Sequence, residues 1–385
     1  MKKALDIFFY SELINSRSGV VTWLKYFLKE LEKINHYSSI NIYMIKPRNE
    51  SESLISHPEY KNINFYITDI GIPERNNPFF NITKWAWSSL KAFKKQTSKN
   101  EERELLFIST LPSAVILFLM NLFFKNNNQK VLWVRSKALG ELATYRNNLY
   151  VKIASLLEKY AFHKFDKIIT NGTDTYNYYL SIYENKNSKI FKVSNAINAE
   201  ELFKLKYPEY KDEIRIAYLG RLNEAKGFSY FLKSAELAKN EQTLSFHVYG
   251  EGDYNKEIET VKFYGAYDQN MIKEILEKND VIVFLNRENF SGGLSHSLLE
   301  AMAAGRIIVA WNNNVHCQVL NDTNSWLVPE GDVEGLYLMY KKIQDIWKNN
   351  PKEILEKCIE ARKESLKYSP HEHVKKYLEI MDRKR

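Results

Sequence analysis

Cysteine is nearly absent from this 385-residue chain, with only Cys317 and Cys358. Two thiols build no disulfide framework and show no metal-ligand spacing, so a reducing, cytoplasmic setting is expected. The chain also lacks repetitive and low-complexity tracts, which excludes the solenoid and disordered classes. No small-residue cleavage site follows Met1-Lys2-Lys3-Ala4, which runs straight into an apolar strand at 5–10, so no signal peptide is expected. A long uncharged run occurs at Leu105 to Phe124, enough on paper to span a bilayer. Ser109-Thr110-Leu111-Pro112 interrupts it after a strand-like Leu-Leu-Phe-Ile, so it reads as strand, turn and buried helix. A helix lying in a membrane face is the other reading.

What is present is a globular composition, 44% hydrophobic and 26% charged, on a chain long enough for two domains. Charge is unevenly placed. Residues 1–205 carry 29 Lys and Arg against 19 Asp and Glu, whereas residues 206–385 carry 26 against 28. A basic first half suits a phospholipid surface or a phosphate-bearing acceptor; a solvated lysine-rich surface gives the same count. No nucleic-acid motif or basic aromatic stripe accompanies it, so no nucleic-acid partner is expected.

Apolar runs at 5–10, 40–45, 63–67, 105–108, 130–134, 167–170 and 190–193 alternate with helical patterns, including 20–34, 85–93, 141–165 and 174–183. A second alternation has strands at 214–218, 245–249, 261–264, 281–285, 307–310 and 325–328. Repeated βα units imply parallel sheets covered on both faces. The expected class is therefore α/β, with two doubly wound Rossmann-like domains, 1–198 and 199–370, facing each other across a cleft. A terminal helix, 371–385, is expected to cross back to the first.

The stretch from Phe284 to Trp311 compresses strand, glycine turn and helix into under thirty residues. Ser291-Gly292-Gly293-Leu294-Ser295 turns the chain into a helix at 297–304, whose unpaired first-turn N–H groups and dipole favour a bound anion such as phosphate. Glu300, one to two turns later, is placed to accept hydrogen bonds from sugar hydroxyls. A tight turn followed by a solvent-facing glutamate has the same pattern.

Several motifs occur in a telling order: Tyr218-Leu219-Gly220-Arg221-Leu222-Asn223-Glu224-Ala225-Lys226-Gly227, then Val248-Tyr249-Gly250-Glu251-Gly252, Val261-Lys262-Phe263-Tyr264-Gly265, Asn279-Asp280-Val281 and Leu298-Leu299-Glu300-Ala301-Met302-Ala303-Ala304-Gly305. This order resembles the retaining glycosyltransferases of family 4, which have the GT-B fold. Val193-Ser194-Asn195-Ala196-Ile197-Asn198 resembles that family's interdomain segment; the match is strong over 193–331 and only in outline before it. The resemblance implies a second domain that binds a nucleotide sugar and a first that binds the acceptor. It implies Arg221 and Lys226 as the basic pair on the donor diphosphate, a role suited to the charge growing on a departing nucleoside diphosphate. It also implies Glu300 on the nucleotide ribose, and the amides of Gly293, Leu294, Ser295 and His296 on the diphosphate. Tyr267 is a candidate for the base pocket and equally a core aromatic. Gly19 stands where the family has a glycine-rich first loop.

Two departures from the family pattern matter. Where the family has a first glutamate, eight residues before Glu300, this chain has Gly292. Glu288 lies four residues earlier, and a looped-out Asn289-Phe290-Ser291 would bring it back; alternatively Gly292 makes room for a differently shaped sugar. After the strand at 130–134, where many members carry a histidine, this chain has Arg135-Ser136-Lys137. Arg135 suits a phosphate or acidic sugar, or is a basic loop residue with no ligand. No Asp-x-Asp pair occurs, and His247, His296 and His316 are isolated, so no metal and no cofactor beyond a UDP- or GDP-type sugar donor is expected. The expected function is a retaining, metal-independent transferase acting in bacterial surface polysaccharide synthesis, on capsule or lipopolysaccharide. Its acceptor is expected to be a glycan or a lipid-linked molecule at the cytoplasmic membrane face. The competing readings are a GT-B epimerase or phosphorylase and a catalytically silent glycan or nucleotide-sugar binding subunit.

Overall fold

A computed structural model describes residues 2–13, 19–46, 60–70, 78–97, 102–124, 127–143, 146, 148–183, 188–252, 258–290 and 292–383. They fall into two compact units, one made of residues 1–171, 175–193 and 373–385, the other of residues 172–174 and 194–372.

The first unit is built on strands β1 (Ala4–Phe9), β2 (Ser39–Ile45), β3 (Ile63–Thr68), β4 (Arg103–Ile108), β5 (Gln129–Val134), β6 (Lys167–Thr170) and β7 (Ile190–Lys192). They pair in parallel in the order β3-β2-β1-β4-β5-β6-β7. Its helices are α1 (Gly19–Ile34), α2 (Pro78–Gln96), α3 (Thr110–Phe123), α4 (Ala138–Ala143), α5 (Asn148–Lys164) and α6 (Thr173–Ile182), whose first two residues, Thr173 and Asp174, belong to the second unit. Strand alternation divides the apolar residues between two layers. Leu5, Ile7 and Phe9 pack with α1, while Phe8 packs with α2, α3 and α5.

The second unit has strands β8 (Ile214–Leu219), β9 (Leu244–Tyr249), β10 (Val261–Phe263), β11 (Val281–Phe284), β12 (Ile307–Asn312) and β13 (Trp326–Pro329). They are parallel, in the order β10-β9-β8-β11-β12-β13. Helices α7 (Phe228–Leu237), α10 (Val333–Asn349) and α11 (Pro351–Ser365) contribute to one apolar layer, α8 (Ile272–Lys278) and α9 (His296–Ala303) to the other. Strand order reverses between β8 and β11, so the loops leaving those two strands flank the switch point where such sheets take ligands.

The last helix, α12 (Pro370–Asp382), contributes Val374, Tyr377, Ile380 and Met381 to the first unit's core. Trp23 Nε1 donates to His373 Nε2 at 2.8 Å, and the His373 ring stacks on Trp133. Lys167 Nζ donates to the carbonyls of Ile380 (2.6 Å) and Arg383 (2.7 Å), a cation on the free carbonyls of a helix end.

Two sequence expectations need correction. The single helix expected at 141–165 is two, because α4 ends at Ala143, with Arg146 N closing onto Leu142 O at 2.9 Å, and α5 starts afresh at Asn148. The run at 105–124 is strand β4 and helix α3 as expected, but α3 is not wholly buried: Phe118, Leu122 and Phe123 are exposed. Among the described residues no helix is long and apolar enough to cross a membrane.

Candidate functional site

The chain leaves β8 into a loop whose shape is set by backbone bonds. Asn223 Oδ1 accepts from Lys226 N at 3.0 Å, capping the 3₁₀ turn Glu224–Lys226. Gly227 then takes a left-handed φ of 68°, and a Cβ there would lie 2.1 Å from the Leu285 carbonyl oxygen, so only glycine fits. The buried Tyr218 hydroxyl donates to the Arg221 carbonyl at 2.8 Å, with the Lys226 carbonyl 3.3 Å from the same oxygen. Arg287 N, beyond β11, donates to Ala225 O at 3.1 Å. Arg221 and Lys226 thus stand at the two ends of one braced loop beside the switch point, Arg221 exposed and Lys226 half-buried.

Across the switch point, the turn before α9 is the expected anion seat. Gly293 has φ 84°, and Ser295 opens the helix without using its own side chain as a cap. Its hydroxyl instead faces that of Ser297 at 2.9 Å. The Gly293 amide is engaged: it donates to the Asp174 carboxylate, 2.9 Å from Oδ2 and 3.2 Å from Oδ1. Gln318 Nε2 donates to the same Oδ1 at 3.2 Å. The seat therefore already holds an anion, supplied by the chain, as the exposed amides of a glycine turn favour. Asn195 Nδ2 donates to the buried Leu294 carbonyl and His296 begins the helix. Gly292 is half-buried, and Ser291 lies outside the described residues.

Three ionisable groups surround this centre. Glu300, on α9, is buried, and burial pushes its carboxyl up to about 7 against the opposing hydrogen bond from Gln269 Nε2 at 2.6 Å. Tyr267 is partly buried against the same apolar layer; burial, then the Glu300 charge, raises its hydroxyl pKa. His316 is also buried. Burial first, and the Lys226 charge second, pull it down to about 3 against the Trp311 backbone, so it is neutral at physiological pH.

Glu288 pairs with the segment after β12. Its carboxylate accepts from Asn314, at 3.2 Å from the backbone N and 2.5 Å from Nδ2, after β12. Its own amide donates to Glu330 Oε2 at 3.1 Å. In the first unit, Gly19 is the exposed first residue of α1, and the rest of its loop, 14–18, lies outside the described residues. Arg135 follows β5, buried, with its guanidinium 4.0 Å over the Trp23 ring; burial lowers its pKa to about 9, and it stays protonated. Among the described residues no group of three His, Cys, Asp or Glu side chains is arranged to hold a metal ion.

Sequence reasoning missed Tyr218, Asp174 and His316. Tyr218 stood in a quoted motif but read as a strand residue; the signal was a hydroxyl that burial obliges to find a partner. Asp174 read as an acid in a helix's first turn. His316 carried no signal beyond being an isolated histidine.

Residues 213–347 match the family profile described as Glycosyl transferases group 1. An uncharacterized glycosyltransferase of Methanocaldococcus jannaschii is 25% identical over 337 residues, which cover 80% of this chain and 81% of that one. Among solved structures, the sucrose-phosphate synthase of Thermosynechococcus elongatus has a TM-score of 0.79 at 14% identity, covering 99% of this chain and 98% of its own. HepE of Anabaena has a TM-score of 0.67 at 11% identity, with 98% and 99% covered. The fold is thus GT-B, two parallel-sheet α/β domains, and residues 213–347 of the second unit are similar to a glycosyl transferases group 1 domain. Together these findings support glycosyltransferase activity for the chain.

Proposed function

We propose that this protein is a retaining, metal-independent glycosyltransferase of family 4. It moves a sugar from a UDP- or GDP-type donor to a glycan or lipid-linked acceptor in bacterial surface polysaccharide synthesis at the cytoplasmic membrane face. The observation that carries the reading is the braced Arg221–Lys226 loop at the switch point, opposite the glycine turn and the buried Glu300. HepE, a structural neighbour, has been solved in complex with UDP-glucose, which supports a nucleotide-sugar donor.

In this reading the donor diphosphate takes the place of the Asp174 carboxylate on the Gly293 amide, next to those of Leu294, Ser295 and His296. Arg221 and Lys226 neutralise the charge that grows as the bond from the anomeric carbon to the diphosphate breaks. The acceptor hydroxyl attacks that carbon from the leaving-group face, its proton passes to the departing phosphate, and anomeric configuration is retained. Glu300 accepts from the ribose hydroxyls, with Tyr267 by the base. The first unit binds the acceptor, with Arg135 and the Gly19 loop its candidate contacts.

The test is product analysis after incubation with UDP- and GDP-sugars and a lipid-linked glycan, with and without chelator. A chelator-insensitive product of retained configuration supports the reading, and an inverted product contradicts the mechanism. Gly292 in place of an acid, with Glu288 tied to Asn314, favours a second reading, a catalytically silent binding subunit. Donor binding with neither hydrolysis nor transfer would select it.

A further inference from the structure

On one face of the first unit's sheet, α3 packs against α2 on one side and α5 on the other. The central helix has no charged residue at all. Its inward side buries Ala114, Ile116, Leu117 and Met120, yet on its outward side Phe118 is 52% and Leu122 63% exposed. The neighbours continue this apolar surface. Trp87 of α2 meets the Phe123 ring edge-on at 5.1 Å, and Tyr160 of α5 meets Phe118 at 5.9 Å. On α5, Leu149, Ile153 and Leu156 recur at helical spacing, with Leu149 68% and Leu156 67% exposed. A contiguous apolar surface of this kind on a folded domain marks a docking site.

The charge around it says what docks. Lys84, Lys91, Lys94 and Lys95 of α2 and Lys152 and Lys159 of α5 are all exposed. Neither α2 nor α3 contains an acid, and the one acid of α5, Glu158, is buried. A second copy applied through a two-fold axis would set lysines against lysines. An anionic bilayer suits both features: apolar side chains enter the boundary between headgroups and acyl chains, while the lysines reach the phosphates. We propose that this three-helix face docks the protein on an anionic phospholipid bilayer, with Phe118, Leu122 and Leu156 as its apolar anchors. None of the residues assigned to sugar transfer is on α2, α3 or α5, and the proposal does not depend on that assignment.

The test is flotation of the full chain with phosphatidylcholine vesicles and with vesicles that also contain phosphatidylglycerol, no donor being present. Flotation with the anionic vesicles alone is expected, falling at ~1 M salt. The double variant Phe118→Asp with Leu122→Asp, and separately Lys91→Glu with Lys152→Glu, should each weaken partition at least about tenfold. Unchanged thermal midpoints and unchanged nucleotide binding establish that the variants are folded. The proposal is overturned by no flotation with either vesicle or by equal flotation of the variants. A concentration-dependent dimer that Leu122→Asp dissolves would also overturn it, because it would give the face to a second copy.

Discussion

In the first unit, Asp6 is buried beside Arg103, whose Nη1 donates at 2.9 Å, and it also accepts from Asn41 and Tyr43. In the second, Glu300 is almost as deeply buried, yet the donor on its carboxyl is a neutral amide, Gln269, and among the described residues no cation pairs with it. Desolvation raises both carboxyls, but only Asp6 has a fixed charge pulling it back down. A buried acid with its own cation and full hydrogen bonding belongs to the architecture. A buried acid raised to about 7 with only a neutral amide on it, on the helix that follows the switch-point glycine turn, is arranged for something else to arrive. Asp174 makes the same point from the other sign: the glycine turn that should take an anion is holding one of the chain's own.

That contrast predicts unequal responses to mutation. Arg103→Ala strips the counter-charge from Asp6 and should cost about 3–5 kcal/mol of stability, read as a lower unfolding midpoint, while the remaining folded protein binds nucleotide normally. Loss of nucleotide binding in the folded fraction would erase the distinction between the units. Lys226→Ala and Arg221→Ala should do the reverse, lowering turnover by about 10²–10³-fold with little change in midpoint or in acceptor binding. An equal loss of turnover and acceptor affinity would remove both residues from the leaving group.

Glu300 adds a pH signature. Its folded pKa of about 7 lies above its ordinary 4.5, so its contribution to stability is full below pH 4.5 and is lost as pH rises through 7. Glu300→Gln should flatten that part of the stability curve, a difference on the order of 3 kcal/mol at its upper end. Ribose hydroxyls donating to the carboxylate favour its ionised form, so donor binding near pH 7 should release a proton in wild type and none in Glu300→Gln. Calorimetry in buffers of different ionisation enthalpy measures this. The smallest expected effect is at Asp174. Asp174→Asn removes a competing negative charge from the Gly293 amide and should strengthen nucleoside diphosphate binding a few-fold; weaker binding would make Asp174 a support of the turn.

Strands were legible almost to the residue because parallel sheets buried on both faces leave unbroken apolar runs between punctuating residues, as at 167–170 and 281–285. The break between α4 and α5 was not, because apolar spacing continues across it and only Asn147-Asn148 marks the restart. The Arg221–Lys226 loop was legible through the resemblance of Gly220-Arg221-Leu222-Asn223-Glu224-Ala225-Lys226-Gly227 to the family motif. Its braces were not. Tyr218 reaches the Arg221 and Lys226 carbonyls, Asp174 comes from 119 residues away in sequence, and Glu288 turns to Asn314. Such contacts depend on tertiary approach, which spacing along the chain does not encode.

The most direct test of the donor site is thermal stabilisation by a panel of nucleoside diphosphates and their sugars, since a ligand that binds only the folded form raises the midpoint. The account predicts a rise with one nucleoside diphosphate family that shrinks in Arg221→Ala and Lys226→Ala. No rise with any of them, or an undiminished rise in both variants, would contradict it.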